Sequence, residues 1–130
     1  MNTTSYLLLR LAIGASMFGH GLVRLPKLAL FSGWMTGQFE KSMLPVALVK
    51  PFSYTLPIAE FLVGLLLIAG LFTRQASILG GIVMLSLLFG STMIEQWDWL
   101  TGQLIHLAFF AILLQFNASN SCALDNLFNK

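Results

Sequence analysis

Four stretches of the chain are rich in apolar residues and almost free of charge, and each is about 20 residues long. A helix of that length extends about 30 Å, which is the thickness of the hydrocarbon core of a bilayer. Lipid satisfies no backbone hydrogen bonds, so such segments cross the membrane as helices. The pattern predicts transmembrane spans at about residues 5–25, 51–72, 76–94 and 100–117.

The joints between the spans indicate how the helices are arranged. Pro26 ends the first span, because its ring disfavours helical geometry in the preceding residue, and the second span starts at Pro51 or already at Pro45. Only "TRQ" and "EQWDW" separate the later spans, so consecutive helices are antiparallel neighbours. The predicted fold is an all-α integral membrane protein: an antiparallel bundle of four transmembrane helices that forms a single domain over residues 1–130.

Residues 28–43, between the first two spans, mix apolar and polar side chains. This stretch contains Trp34 and Phe39 as well as Glu40 and Lys41. This composition is typical of a helix that lies in the membrane interface. We therefore expect a short interfacial helix at residues 28–43, with an ordinary loop as the alternative.

Composition supports a membrane protein and narrows the functional classes. Hydrophobic residues make up 57% of the chain, charged residues 9%, and the mean hydropathy is +0.82. The net charge of +2 comes from few ionisable groups, so no nucleic-acid partner is expected. Cys122 is the only cysteine, which excludes an intramolecular disulfide and paired-thiol chemistry.

Four polar residues fall in one half of the predicted bundle, away from the end that carries both termini. Counted along the helices, Glu60, His106 and Gln103 lie about 14, 9 and 5 Å below the opposite surface, and His20 lies in the same half. Ionisable residues inside a membrane cost about 2.5 to 3.5 kcal/mol on insertion scales, so a function is the default expectation. We expect a ligand or a proton to be handled there; the alternative is that these groups only bond one another.

Glu60 is the candidate proton acceptor or donor, and His20, Gln103 and His106 are the candidate ligands of a quinone head group. An ionised, unpaired carboxylate in hydrocarbon is too costly to persist. We expect the Glu60 carboxyl within hydrogen-bonding reach of His20 or His106, directly or through one water. Arg24 is placed at the interface, about two turns away. A metal site of His20, His106 and Glu60 is a weaker alternative, because few second-shell acceptors are visible, and no metal is predicted.

Arg10 lies in the other half of the membrane and needs a separate account. After the fourth span the segment "SCALDNLF" brings Asp125 back to the same end. An ion pair between Arg10 and Asp125 would neutralise the guanidinium and fix the C-terminal segment to the first helix. The alternative is that Arg10 snorkels to lipid phosphates.

The ordered set "LLLRLAIG", "HGLVRL", "AEFLVGLLLIAGLFTRQAS" and "CALD" resembles the DoxX family of small bacterial membrane proteins over residues 6–125. Cys122 and Ala123 depart from the family pattern, in which a serine-containing turn is commoner. Applied to this sequence, the family pattern singles out the following residues: Arg10, His20, Gly21, Arg24, Glu60, Gly64, Gly70, Thr73, Arg74 and Asp125.

The resemblance implies a multi-pass protein of the bacterial inner membrane with a link to redox chemistry, since relatives include a small subunit of thiosulfate:quinone oxidoreductase. The first functional hypothesis is therefore a quinone-associated subunit of a membrane redox system. No haem, flavin or cluster motif is visible, so no covalent cofactor is expected and electrons must come from a redox partner protein. The alternative is a non-catalytic anchor for a redox or secreted protein, which would dock on residues 28–43, Trp97 and Trp99.

Overall fold

The computed structural model describes residues 1–128, which form helices joined by short turns. Three-residue 3-10 helices lie at Leu25–Lys27, Trp97–Trp99 and Asn117–Ser119. The α-helices are α1 (Thr3–Arg24), α2 (Leu28–Gln38), α3 (Val46–Ala69), α4 (Thr73–Met93), α5 (Leu100–Gln115) and α6 (Asp125–Phe128).

Four helical segments are long and apolar enough to cross a membrane, which confirms the predicted fold class. They are Thr3–Gln38, Val46–Ala69, Thr73–Met93 and Trp97–Gln115. The second span begins at Val46, so Pro45 marks its start and Pro51 lies within the helix. Pro45 is extended (ψ 145°) and precedes the first helical residue, which is a position that suits proline. The span ends at Ala69, because Gly70 adopts a left-handed conformation (φ 73°) that terminates the helix.

The outer surface of the bundle is apolar on every long helix. More than half of the side-chain surface is exposed at Val23 of α1, Ile58 of α3, Ile82 and Phe89 of α4, and Ile105 of α5. A soluble domain would leave such a continuous apolar surface in contact with water. A lipid environment removes that cost, so the exposed faces fit the hydrocarbon core of a bilayer.

Helices α1 and α3 make the closest helix contact, and two glycines permit it. A Cβ atom at Gly21 would overlap the backbone of Phe61, and one at Gly64 would overlap the backbone of Phe18. The Phe18 and Phe61 rings pack beside this contact with their centroids 5.0 Å apart. The absence of side chains at Gly21 and Gly64 lets the two backbones approach directly.

Helix α2 crosses the end of the bundle opposite the termini. Its Ser32 hydroxyl lies 2.6 Å from the Ser53 hydroxyl of α3, and both side chains are buried. The Trp34 ring lies 5.8 Å from the Trp99 ring at the start of α5. The helix expected within residues 28–43 is therefore present at Leu28–Gln38, and it covers this end of the bundle.

The glycine contact predicts a position-specific effect on stability. Gly21→Ala should destabilise the protein by about 1 to 3 kcal/mol, because the new methyl group overpacks the α1–α3 contact. Gly19→Ala is the matched control on the same helix, since a Cβ at Gly19 meets nothing within 4 Å. Unfolding by SDS from mixed micelles measures both variants. Equal stability of the two would contradict the packing argument.

Candidate functional site

A cavity of about 770 Å³ is lined by residues of α1 to α5, at the end of the bundle that α2 covers. Its wall is mainly apolar and aromatic, and its volume falls in the range of small-molecule sites in proteins. The large apolar side chains around it include Phe31, Trp34, Met35, Phe39, Phe52, Leu56, Met84, Leu87, Phe89 and Trp99.

The four polar residues that the sequence placed in one half of the membrane all line this cavity. His20 comes from α1, Glu60 from α3, and Gln103 and His106 from α5. Their convergence follows from the antiparallel arrangement, which brings the end of α1 and the starts of α3 and α5 together. Their roles in binding or proton transfer remain predictions.

The lining of the cavity reaches the surface of the bundle. His20 on α1 and Gly102 on α5 both line it, and both are exposed. A Cβ at Gly102 would meet nothing within 4 Å, so this part of α5 borders open space. His20 lies one turn before the end of α1 and Gly102 lies in the first turn of α5, so this exposed part of the lining is near the end that α2 covers.

Glu60 pairs with Arg24, which corrects the expectation that Arg24 stays at the interface about two turns away. The Arg24 Nη1 donates to Glu60 Oε1 at 2.9 Å, and the guanidinium carbon lies 4.5 Å over the Phe31 ring. The long, flexible arginine side chain reaches from the end of α1 to the carboxylate. In the described part of the chain, Glu60 makes no direct hydrogen bond to His20 or His106, and a contact through one water stays a prediction. Only 2% of the Glu60 side chain is exposed, against 29% for Arg24.

Ser16 connects the two imidazoles. Its carbonyl oxygen lies 2.6 Å from His20 Nδ1, and its hydroxyl lies 2.7 Å from His106 Nε2. The His106 Nδ1 in turn lies 2.7 Å from the Gly102 carbonyl. A carbonyl oxygen only accepts, so both Nδ1 atoms carry a proton and donate to the backbone. The two rings meet edge to face at 6.1 Å.

These contacts bear on the metal alternative. Glu60 is occupied by Arg24 and His106 Nε2 by Ser16. Within residues 1–128, no three His, Cys, Asp or Glu side chains lie close enough to hold a metal ion. The polar groups of the cavity therefore bond one another and backbone carbonyl groups.

Gln103 joins α5 to α4 and leaves one polar atom without a partner. Its Nε2 donates to the Ser91 hydroxyl at 2.9 Å, and Ser91 is buried. The Gln103 Oε1 is buried and has no hydrogen-bond partner among the described residues. A buried acceptor without a partner is costly, so a ligand that donates to it would be stabilised.

Arg10 occupies a second polar cluster at the end that carries the termini. Its Nη1 donates to Asn120 Oδ1 at 2.7 Å, and the Asn120 amide donates to the Thr73 hydroxyl at 3.1 Å. Among residues 1–128, Arg10 and Asp125 form no salt bridge, so the predicted ion pair was wrong. Asn120 lies in the turn after α5, next to the buried guanidinium, and accepts the hydrogen bond that was expected for Asp125.

Asp125 instead caps the start of α4. Its two carboxylate oxygens accept from the backbone N–H groups of Phe72 at 2.5 Å and Thr73 at 2.9 Å. The first N–H groups of a helix lack partners within the helix and favour a negative charge. Asp125 also donates its own N–H to the Gly70 carbonyl at 2.9 Å. The C-terminal segment is attached to the bundle as expected, but Asp125 binds the start of α4 and not Arg10 of α1.

Sequence reasoning missed three residues of these clusters: Ser16, Ser91 and Asn120. Ser16 precedes His20 by four residues, which places both on one face of α1, so its role was accessible from spacing. Ser91 and Asn120 act through contacts with distant helices. No local pattern marks those contacts.

The DoxX family model matches residues 5–93. The chain belongs to the DoxX family. No curated protein and no solved structure matches it. The matched region contains α1 to α4, and so includes Arg24 and Glu60, while Gln103 and His106 lie beyond it. Together with four apolar helices of spanning length, the family identifies a multi-pass membrane protein.

The Arg24–Glu60 pair predicts different outcomes for two substitutions at one position. Glu60→Gln keeps an acceptor for Arg24 and should leave the bundle folded. Glu60→Leu leaves a partly buried guanidinium unpaired and should cost about 1 to 3 kcal/mol, less than a fully buried pair because Arg24 is partly exposed. SDS unfolding measures both, with Glu40→Gln as a control outside the cavity. A Glu60→Leu variant as stable as Glu60→Gln would contradict the pairing.

The Asp125 cap generates a second stability prediction. Asp125→Ala should lower the free energy of unfolding by about 1 to 2 kcal/mol, because two N–H groups at the start of α4 lose their acceptor. Asp125→Asn should recover part of the loss, since its amide oxygen still accepts one bond. Thermal unfolding in detergent tests the order wild type, Asn, Ala. If Asn and Ala are equally destabilised, the charge and not the cap geometry is responsible.

Proposed function

We propose that this DoxX-family protein binds a lipophilic quinone in the cavity between α1 and α5, as a membrane subunit of a redox system in the bacterial inner membrane. The single observation that carries the proposal is the 770 Å³ cavity, whose largely apolar wall holds polar groups from three helices. A quinone ring is flat and apolar with polar atoms at two edges. The aromatic wall fits the ring faces, and His20, Glu60, Gln103 and His106 supply polar contacts for the edges.

Exposed residues of the lining give a ligand a way into the cavity. His20 on α1 and Gly102 on α5 are exposed and border it. A long isoprenoid tail would leave the cavity between these residues into the bilayer while the head group stays inside.

The residues of this chain would bind the head group and hold protons. Arg24 keeps the Glu60 carboxyl paired when the site is empty, and Glu60 and the His20 ring are the groups that take up or release protons. A quinone accepts or delivers electrons itself. A redox partner protein would exchange the electrons with it.

The alternative function, a membrane anchor for a partner protein, has fewer exposed aromatic residues for docking than the sequence suggested. Two of the aromatic side chains assigned to docking, Trp34 and Trp99, contact each other and line the cavity. Trp97 is 57% exposed and remains the candidate contact for a partner protein. A partner that binds there is compatible with the quinone proposal, since electrons must reach the site.

The binding proposal can be tested by the intrinsic fluorescence of Trp34 and Trp99, which line the cavity. A short-chain quinone such as decylubiquinone should quench it saturably in detergent or nanodiscs, also in a Trp97→Phe background. Gln103→Leu should weaken binding by about tenfold, which corresponds to loss of roughly one hydrogen bond.

Gln115→Leu is the matched control, because Gln115 lies on the same helix, is exposed and does not line the cavity. Quenching that does not saturate, or equal affinity of the Gln103 and Gln115 variants, would overturn the proposal.

A further inference from the structure

A second cavity, of about 590 Å³, lies at the end of the bundle that carries the termini. It is bordered by the turn between α3 and α4, by the start of α4 and by the segment that follows α5. It shares no lining residue with the proposed quinone site. Most of its lining residues are polar: Leu71, Phe72, Arg74, Gln75, Asn117, Asn120, Asp125 and Asn126.

The two charged residues of this second cavity differ in their partners. Both carboxylate oxygens of Asp125 accept from backbone N–H groups at the start of α4. Arg74 is exposed and forms no salt bridge with any of residues 1–128. A guanidinium binds phosphate and carboxylate groups through two parallel N–H bonds, so Arg74 offers a binding group for an anion.

Arg10 adds a positive charge behind the wall of the second cavity. Its Nη1 donates to Asn120, which lines the cavity, and the Arg10 side chain is buried. In the described part of the chain, Arg10 has no salt bridge and its buried Nε has no hydrogen-bond partner. Arg10 and Arg74 therefore face the single carboxylate of Asp125, and this excess of positive charge favours an anionic ligand.

The depth of the second cavity points to a lipid as the source of that anion. Helix α3 ends at Ala69 and α4 begins at Thr73, and both are long and apolar enough to cross the membrane. The turn between them therefore lies at the level of the lipid head groups. Phe72 and Leu127 are 57% and 64% exposed there, so apolar surface borders the polar cavity. A phospholipid has the same arrangement, with a polar head group next to apolar chains.

We infer that the second cavity binds the head group of phosphatidylglycerol, with the phosphate on Arg74. The glycerol part of this head group carries hydroxyl groups, which donate and accept hydrogen bonds as the amides of Gln75 and Asn117 do. A choline head group has no hydroxyl and would place a second cation next to Arg74. A soluble phosphate ester has the same anionic group but lacks acyl chains for Phe72 and Leu127 to contact. The inference is independent of the quinone proposal.

Native mass spectrometry of the delipidated protein measures the affinity for each lipid. We expect dioleoylphosphatidylglycerol to bind at least about tenfold more tightly than dioleoylphosphatidylcholine. Arg74→Gln should weaken the binding of phosphatidylglycerol by about tenfold, which corresponds to the loss of one charge-assisted hydrogen bond. Arg74→Lys should recover part of that loss, because it keeps the charge but not the paired N–H geometry.

Lys50→Gln is the matched control, since it removes one exposed positive charge at the opposite end of the bundle and Lys50 lines neither cavity. Equal affinity of the wild type and Arg74→Gln for phosphatidylglycerol would overturn the inference. Equal weakening by Arg74→Gln and Lys50→Gln would also overturn it, because any cation would then attract the lipid. Displacement of phosphatidylglycerol by millimolar glycerol 3-phosphate would assign the cavity to a soluble phosphate ester and rule out the lipid.

Discussion

The contact between α1 and α3 is the constraint on which the rest of the structure depends. Gly21 and Gly64 let the two backbones meet without side chains between them, and this fixes the register of the helices. Arg24 lies one turn beyond Gly21, and Glu60 lies one turn before Gly64. The glycine contact therefore places the Arg24 guanidinium next to the Glu60 carboxylate. A different register would leave a buried carboxylate unpaired in an apolar setting, which is the costliest arrangement available to this chain.

The bundle separates its two polar clusters by position. At the end with the termini, Arg10, Asn120 and Asp125 hold the C-terminal segment against α1 and α4. The Arg10 Nε is buried there and has no hydrogen-bond partner among the described residues. At the opposite end the polar groups surround a cavity, and the buried Gln103 Oε1 likewise has no partner among the described residues. Each cluster therefore leaves one buried polar atom unpaired.

The sequence was sufficient for the fold and for the location of the site, but not for its pairings. Apolar run length predicted four helices, and depth counting placed His20, Glu60, Gln103 and His106 in one region, where they line one cavity. Depth counting failed for Arg24 because it treats a residue as a point at its backbone, whereas an arginine reaches more than one helical turn. The pairing of Arg10 failed for another reason. It depends on the path of the turn after α5, which no periodic pattern encodes.

The packing of α5 links the fold to the proposed function. This helix buries only Phe110 and Leu113, both in its second half, where Phe110 packs against Gly80 of α4. Its first half, with Gln103 and His106, faces the cavity and is held to its neighbours by hydrogen bonds to Ser91 and Ser16. A close-packed interior would have filled this space with side chains. The chain instead leaves a cavity beside this half of α5. A flat ring bound there would supply the apolar contacts that α5 lacks, so binding would stabilise this half of the helix.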